Sequence, residues 1–127
     1  MSIKRFGSSK TGAGGQHLPF AKAVQAGGFL YVSGQVAMDE QGEIVSGGII
    51  GQTHKIIQHI EKILKECGYN LKDVIKVNVW LDDPRDFWSF NKVFAEYFGD
   101  HPPARSTVRS SLVVDAKIEM DVIAYKD

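Results

Sequence analysis

Cysteine is nearly absent. One residue, Cys67, in a chain of 127 leaves no intrachain disulfide to form, which suits a reducing compartment. Net charge is absent too, because fifteen Lys and Arg offset fifteen Asp and Glu. The basic excess that marks a dedicated nucleic-acid binder is missing. So is the repulsion that keeps copies of a charged protein apart, and self-association meets little resistance. No apolar run comes near the roughly 20 residues needed to cross a bilayer, so no membrane partner is expected. The opening stretch MSIKRFGSSKTGAGG holds Lys and Arg but no apolar segment, which argues against a secretory signal. With the lone thiol, this reads as a cytoplasmic protein. Repeats, low-complexity tracts and internal linkers are lacking beyond the glycine-rich start.

What is present is globular. A composition of 43% hydrophobic and 24% charged residues excludes a disordered tail protein, and the length suits one domain with a core of its own. Residues 7–16, GSSKTGAGGQ, are rich in glycine and serine, so 1–16 reads as a flexible N-terminal arm and 17–127 as a single domain. The arm is not a phosphate cradle, because no strand leads into it and no helix follows a Lys-Ser/Thr pair.

Residues 20–24 and 29–36 are β-rich and flank QAGG, which predicts a hairpin. Over 52–67, Thr53, Ile56, Ile57, Ile60, Ile63, Leu64 and Cys67 recur at three- and four-residue steps and predict an amphipathic helix ended by Gly68. Residues 73–81 alternate, with Ile75, Val77, Val79 and Leu81 on one face. Asp83-Pro84 suits the start of a second helix. Its stripe is Phe87, Phe90, Val93, Phe94, Tyr97 and Phe98, and Gly99 stops it. Strands at about 104–112 and 116–125 close the chain, the last with Ile118, Met120, Val122 and Ala124 on one face. The order is β-β-α-β-α-β-β. It predicts an α+β fold in which two helices cover one face of one mixed sheet. The other face carries Glu119, Asp121 and Ile123, with Arg105, Thr107 and Arg109 as expected neighbours. Charges among apolar residues are costly to bury alone, so that face suits a subunit interface or a site lined by one.

Little of this carries chemistry. Of His17, His54, His59 and His101, the helical pair lies five residues apart, off the i,i+4 spacing of metal ligands. Cys67 sits on the apolar stripe and reads as an inert buried thiol. Trp80, Trp88 and the phenylalanines read as core, Met38 and Met120 as packing residues. Arg105 and Glu119 stand out. A hairpin of the last two strands would set them on one face, where the Arg fork grips a carboxylate and the Glu activates a water. A structural cross-strand ion pair explains the same two residues, and from pattern alone it is the simpler account.

Ser33-Gly34-Gln35 after an apolar strand, Asn91 in the aromatic helix, Pro103-Ala104-Arg105-Ser106-Thr107-Val108 and Lys117-Ile118-Glu119-Met120-Asp121-Val122-Ile123-Ala124 together resemble the reactive intermediate deaminase family (RidA/YjgF). The resemblance runs from about residue 17 to residue 125. It implies a chorismate-mutase-like fold and a homotrimer, with sheets in a central barrel, helices outside and sites between subunits. The implied reaction is hydrolysis of an enamine or imine such as 2-aminoacrylate/2-iminopropionate to a 2-oxo acid and ammonia, with no metal or organic cofactor. Arg105 would clamp the substrate carboxylate, and Glu119 would orient water and move its proton. Ser33 would offer a hydroxyl, Gly34 a backbone N–H and Thr107 main-chain groups, while Asn91 would brace the pocket wall. Two positions depart from the pattern. Phe20 stands where many members have tyrosine, and Thr107 where cysteine is common, which points to a shifted imine preference. A non-catalytic module that binds small carboxylates or proteins is the alternative. Chaperone-like and RNA-directed roles have also been attached to the family, and the neutral charge counts against RNA.

Overall fold

In the β2–β3 hairpin, Ala23–Ala26 and Phe29–Val36 pair antiparallel across a Gly27–Gly28 turn. Gly27 takes a left-handed φ of 61°, as a tight hairpin turn requires. At Gly28 a Cβ would collide with the Lys126 carbonyl, so the turn lies directly on the chain end. The computed structural model describes residues 2–7 and 18–127. Within them Ile3–Phe6 forms a further strand, β1, paired antiparallel with β2. The glycine-rich arm expected at 7–16 falls, from residue 8 on, outside the described residues, and so does His17.

Helix α1 spans Gly48–Glu66. It begins a turn earlier than the periodicity predicts, after Gly47 in a left-handed conformation, and it adds Ile49 to the apolar stripe. Ile56, Ile57, Ile60 and Leu64 are fully buried; each such side chain stabilises the fold by about 1.5–3 kcal/mol relative to exposure. A 3-10 turn leads into β4 (Val74–Leu81). A second 3-10 turn, Pro84–Asp86, leads into α2 (Phe87–Phe98). The Asp83 carboxylate accepts from Arg85 N there, as the Asp-Pro signal predicts. Strands β5 (Ala104–Arg109) and β6 (Ile118–Tyr125) complete the chain.

The six strands form one mixed sheet in the order β1-β2-β3-β6-β4-β5. The helices pack on one face against Leu30, Val32, Val77, Val79, Ile118, Met120 and Val122, which gives the expected α+β architecture. Besides the added β1 and the earlier start of α1, two details differ from the sequence reading. A β-bulge between Val74 and Lys76 breaks the alternation of β4, so Val74 is buried and Ile75 is 45% exposed. More consequentially, β5 and β6 form no hairpin. β5 runs parallel to β4 at the sheet edge, while β6 lies between β3 and β4. β6 has the most apolar helix-side face and takes the centre, where both its edges are paired. β5 returns through α2 as a crossover to a parallel strand.

Candidate functional site

The register of β5 decides where its side chains go. Arg105 lies beside Val77 and Thr107 beside Val79, and neighbours in register share a face. Val77 and Val79 are buried under the helices, so Arg105 and Thr107 point to the helix face. Glu119 on β6 lies beside Trp80 and Val36 and points to the open face with Asp121. The expectation that Arg105 and Glu119 share a face is therefore overturned. A parallel β5 sends Arg105 to the other side of the sheet.

On the helix side, Phe87, Phe90 and Phe94 recur at i, i+3 and i+7 along α2 and meet the Arg105 guanidinium. Its Cζ lies 5.8 Å, 5.1 Å and 4.8 Å from the three ring centroids, within cation–π range. Among the described residues no carboxylate ion-pairs with Arg105. Burial pulls its pKa below the usual arginine value, although guanidinium stays charged in proteins. Two residues on, the Thr107 hydroxyl is buried with no hydrogen-bond partner. Asn91 follows Phe90 on α2 and is half-buried.

On the other side, a bulge between Val32 and Gln35 sets Ser33 and Gly34 together against the single residue Asp121 of β6. Ser33 N donates to the Lys22 carbonyl at 3.0 Å, and Ser33 Oγ donates to the Ala21 carbonyl at 2.6 Å. The hydroxyl thus staples the 20–22 segment to β3. It keeps its lone pairs but has its proton engaged. A Cβ on Gly34 would run into Glu119 Oε2, so the carboxylate lies against bare backbone. Burial pushes the Glu119 carboxyl above its usual range, and the nearby Asp121 charge adds to the rise. Asp121 itself accepts from Asn78 Nδ2 at 3.0 Å. Phe20 is 56% exposed and, with Gly34, lines a cleft of about 440 Å³ between the end of β3 and α1. Neither Arg105 nor Glu119 lines that cleft.

The structure thus sorts the expected residues into two groups: Arg105, Thr107 and Asn91 by α2 or on the helix face, and Glu119, Ser33, Gly34 and Phe20 around the β3 bulge. The sequence reading missed the aromatic cradle, because the phenylalanine stripe reads from sequence only as core. The Glu-x-Asp spacing on a strand already places Glu119 and Asp121 on one face; the cradle needs the β5 register. Among the described residues no three His, Cys, Asp or Glu side chains cluster as metal ligands would, and no helix is long and apolar enough to cross a membrane.

Comparison with known proteins gives the same picture as the residues. The family model described as Endoribonuclease L-PSP matches residues 15–126. A RutC family protein of Pyrococcus horikoshii is 48% identical over 111 residues, which cover 86% of this chain and 88% of the relative. The mitochondrial protein MMF1 of Saccharomyces cerevisiae is 39% identical over 108 residues, covering 84% and 74%. A crystal structure of a conserved Rid-family protein from Yersinia pestis superposes with a TM-score of 0.85 at 26% identity, covering 98% of this chain and all of that one. With the family matched over most of its length and the fold shared end to end, the chain belongs to the endoribonuclease L-PSP family, the family of the RutC and Rid proteins.

Proposed function

We propose that the protein hydrolyses reactive enamine and imine derivatives of amino acids, of the 2-aminoacrylate/2-iminopropionate type, to a 2-oxo acid and ammonia. The site is shared between two copies in a homotrimer. The observation that carries this reading is the placement of Arg105 and Glu119 on opposite faces of one sheet, each unpaired by an opposite charge among the described residues. A site that needs both takes them from different copies. Joining unlike surfaces head to tail makes a heterologous contact, which closes into a ring when the rotation between copies divides the full turn, as in a trimer.

In the joined site, Arg105 of one copy holds the substrate carboxylate with its two-pronged fork, beside the main chain at Thr107. Asn91 braces the α2 wall. The neighbour's Glu119 takes a proton from water as the water oxygen bonds to the imine carbon. The C=N pair moves onto nitrogen. The same carboxyl returns that proton to nitrogen, then takes the carbinolamine's hydroxyl proton and passes it to the same nitrogen as the C–N bond breaks and the C=O bond forms, releasing 2-oxo acid and ammonia. A raised pKa suits a group that must take and return a proton near neutral pH. Gly34 leaves room for the carboxylate, Ser33 offers an acceptor oxygen, and Phe20 walls the pocket. The imine is electrophilic already, so the reading requires no cofactor. It places the protein in the cytoplasm, whereas the yeast relative is named as mitochondrial.

The test generates imines from several amino acids with an amino-acid oxidase in the presence of semicarbazide. Wild-type protein should suppress semicarbazone formation and Arg105→Ala should not. Binding of 2-oxo acids without any suppression would assign the site to a carboxylate-binding module instead. Cleavage of RNA by the same preparation, lost in Glu119→Gln, would support the activity in the family's description.

A further inference from the structure

We infer that Phe87, Phe90 and Phe94 are positioning residues for Arg105, a cradle of three aromatic faces that holds the guanidinium without an acid and so reserves its hydrogen-bond donors for a small carboxylate. The inference rests on the proposed role of Arg105 and names what makes that role possible. A half-buried guanidinium needs a partner to fix it, and the usual partner is Asp or Glu. An acid would compete with the substrate for the same fork. Here the neighbours are rings at 4.8–5.8 Å. Ring faces attract the cation through their quadrupole but take up none of its five donors as a carboxylate would.

The rings are themselves held. Phe90 is fully buried and Phe94 8% exposed. Phe90 and Phe94 are tilted against each other at 5.5 Å, Phe94 stacks on Phe98 at 4.5 Å, and Phe87 meets Trp88 edge-on at 5.3 Å. The chemistry this selects for is a small monocarboxylate, whose oxygens meet guanidinium donors that no described acid of the same copy engages.

Phe87 is the member to change, since it is only half-buried and packs at the margin of the core, where leucine keeps an apolar contact. Phe87→Leu keeps apolar bulk and removes the face; Phe87→Tyr keeps the face. Two readouts are taken: calorimetric affinity for 2-oxobutanoate, and KM and kcat for 2-iminobutanoate. Phe87→Leu should raise both Kd and KM about three- to fivefold, with kcat within about twofold, and Phe87→Tyr should restore them. Phe94→Leu, at the nearest ring, should act in the same direction. Unchanged Kd and KM in both leucine variants would overturn the cradle. If wild type binds 2-oxobutanoate but turns over no imine, the deaminase reading fails and the Kd series alone judges the cradle. If wild type neither binds nor turns over, both fall.

Discussion

Glu119 lies against the Cα of Gly34, with its carboxylate in the space a side chain at that position would need. The bulge at Ser33–Gly34 makes this contact possible by adding a residue to β3 where it faces β6. Gly34 has no left-handed φ to protect, so Gly34→Ala requires no backbone strain; it requires the Glu119 carboxylate to move. The substitution should lower kcat at least about tenfold, because small misplacements of a reacting group are costly. Its effect on Tm should stay within a few degrees. Steady-state kinetics beside calorimetry decide it. A variant that melts early and keeps its kcat would make Gly34 structural.

Arg105→Ala should abolish deamination and leave assembly intact, since no described residue ion-pairs with this side chain. Arg105→Lys should lose at least about 30-fold in kcat/KM, because an ammonium cannot form the two-pronged contact. Light scattering on both variants provides the control. Dissociation to monomers would show that the guanidinium holds copies together.

The raised Glu119 pKa has a definite sign in stability. A carboxyl whose pKa is higher folded than unfolded contributes fully below the unfolded value, and that contribution is lost as pH rises through the folded value. Ionised Glu119 therefore weighs against the fold at neutral pH. Glu119→Gln should raise Tm at pH 7, and the gap should close below about pH 4. A lower Tm for the variant at pH 7 would mean that a cation of a neighbouring copy pairs with Glu119.

Asp121 contributes to that raised pKa. Asp121, Asn78 and Lys76 share the open face with Glu119, and Asn78 holds the Asp121 carboxylate. Asp121→Asn removes the negative charge, so the acid limb of kcat/KM against pH should move to lower pH. A stationary limb would assign it to another group.

Much of the fold is legible because its patterns are local. The stripe of α1, the alternation of β6 and the Asp83-Pro84 start all report which face of an element meets the core. Ile75 leaves its expected face because a bulge shifts the alternation without any mark in composition. Strand β1 is four residues long with Lys4 and Arg5 in its middle, and such a pattern does not separate from a polar arm. The hairpin of β5 and β6 failed for a different reason: adjacency in sequence suggested pairing, whereas the burial of β6 and the α2 crossover decide the order. Arg105 and Glu119 stand out in the sequence as a pair, but the side each faces is a property of the whole sheet.

That opposite-face geometry makes the sharpest prediction. Arg105→Ala and Glu119→Gln are each expected to be inactive alone. Mixed in equal amounts, unfolded and reassembled together, they should regain activity, because a site that takes Arg105 from one copy and Glu119 from the next is intact where a Glu119→Gln subunit supplies the arginine to an Arg105→Ala neighbour. For random assembly into a closed ring, about a quarter of sites meet that condition. If both residues served one site within a single copy, every copy would carry one lesion and mixing would restore nothing. Recovery near a quarter of wild-type turnover therefore assigns the site to the junction between copies, and no recovery, with reassembly confirmed by light scattering, removes it from there.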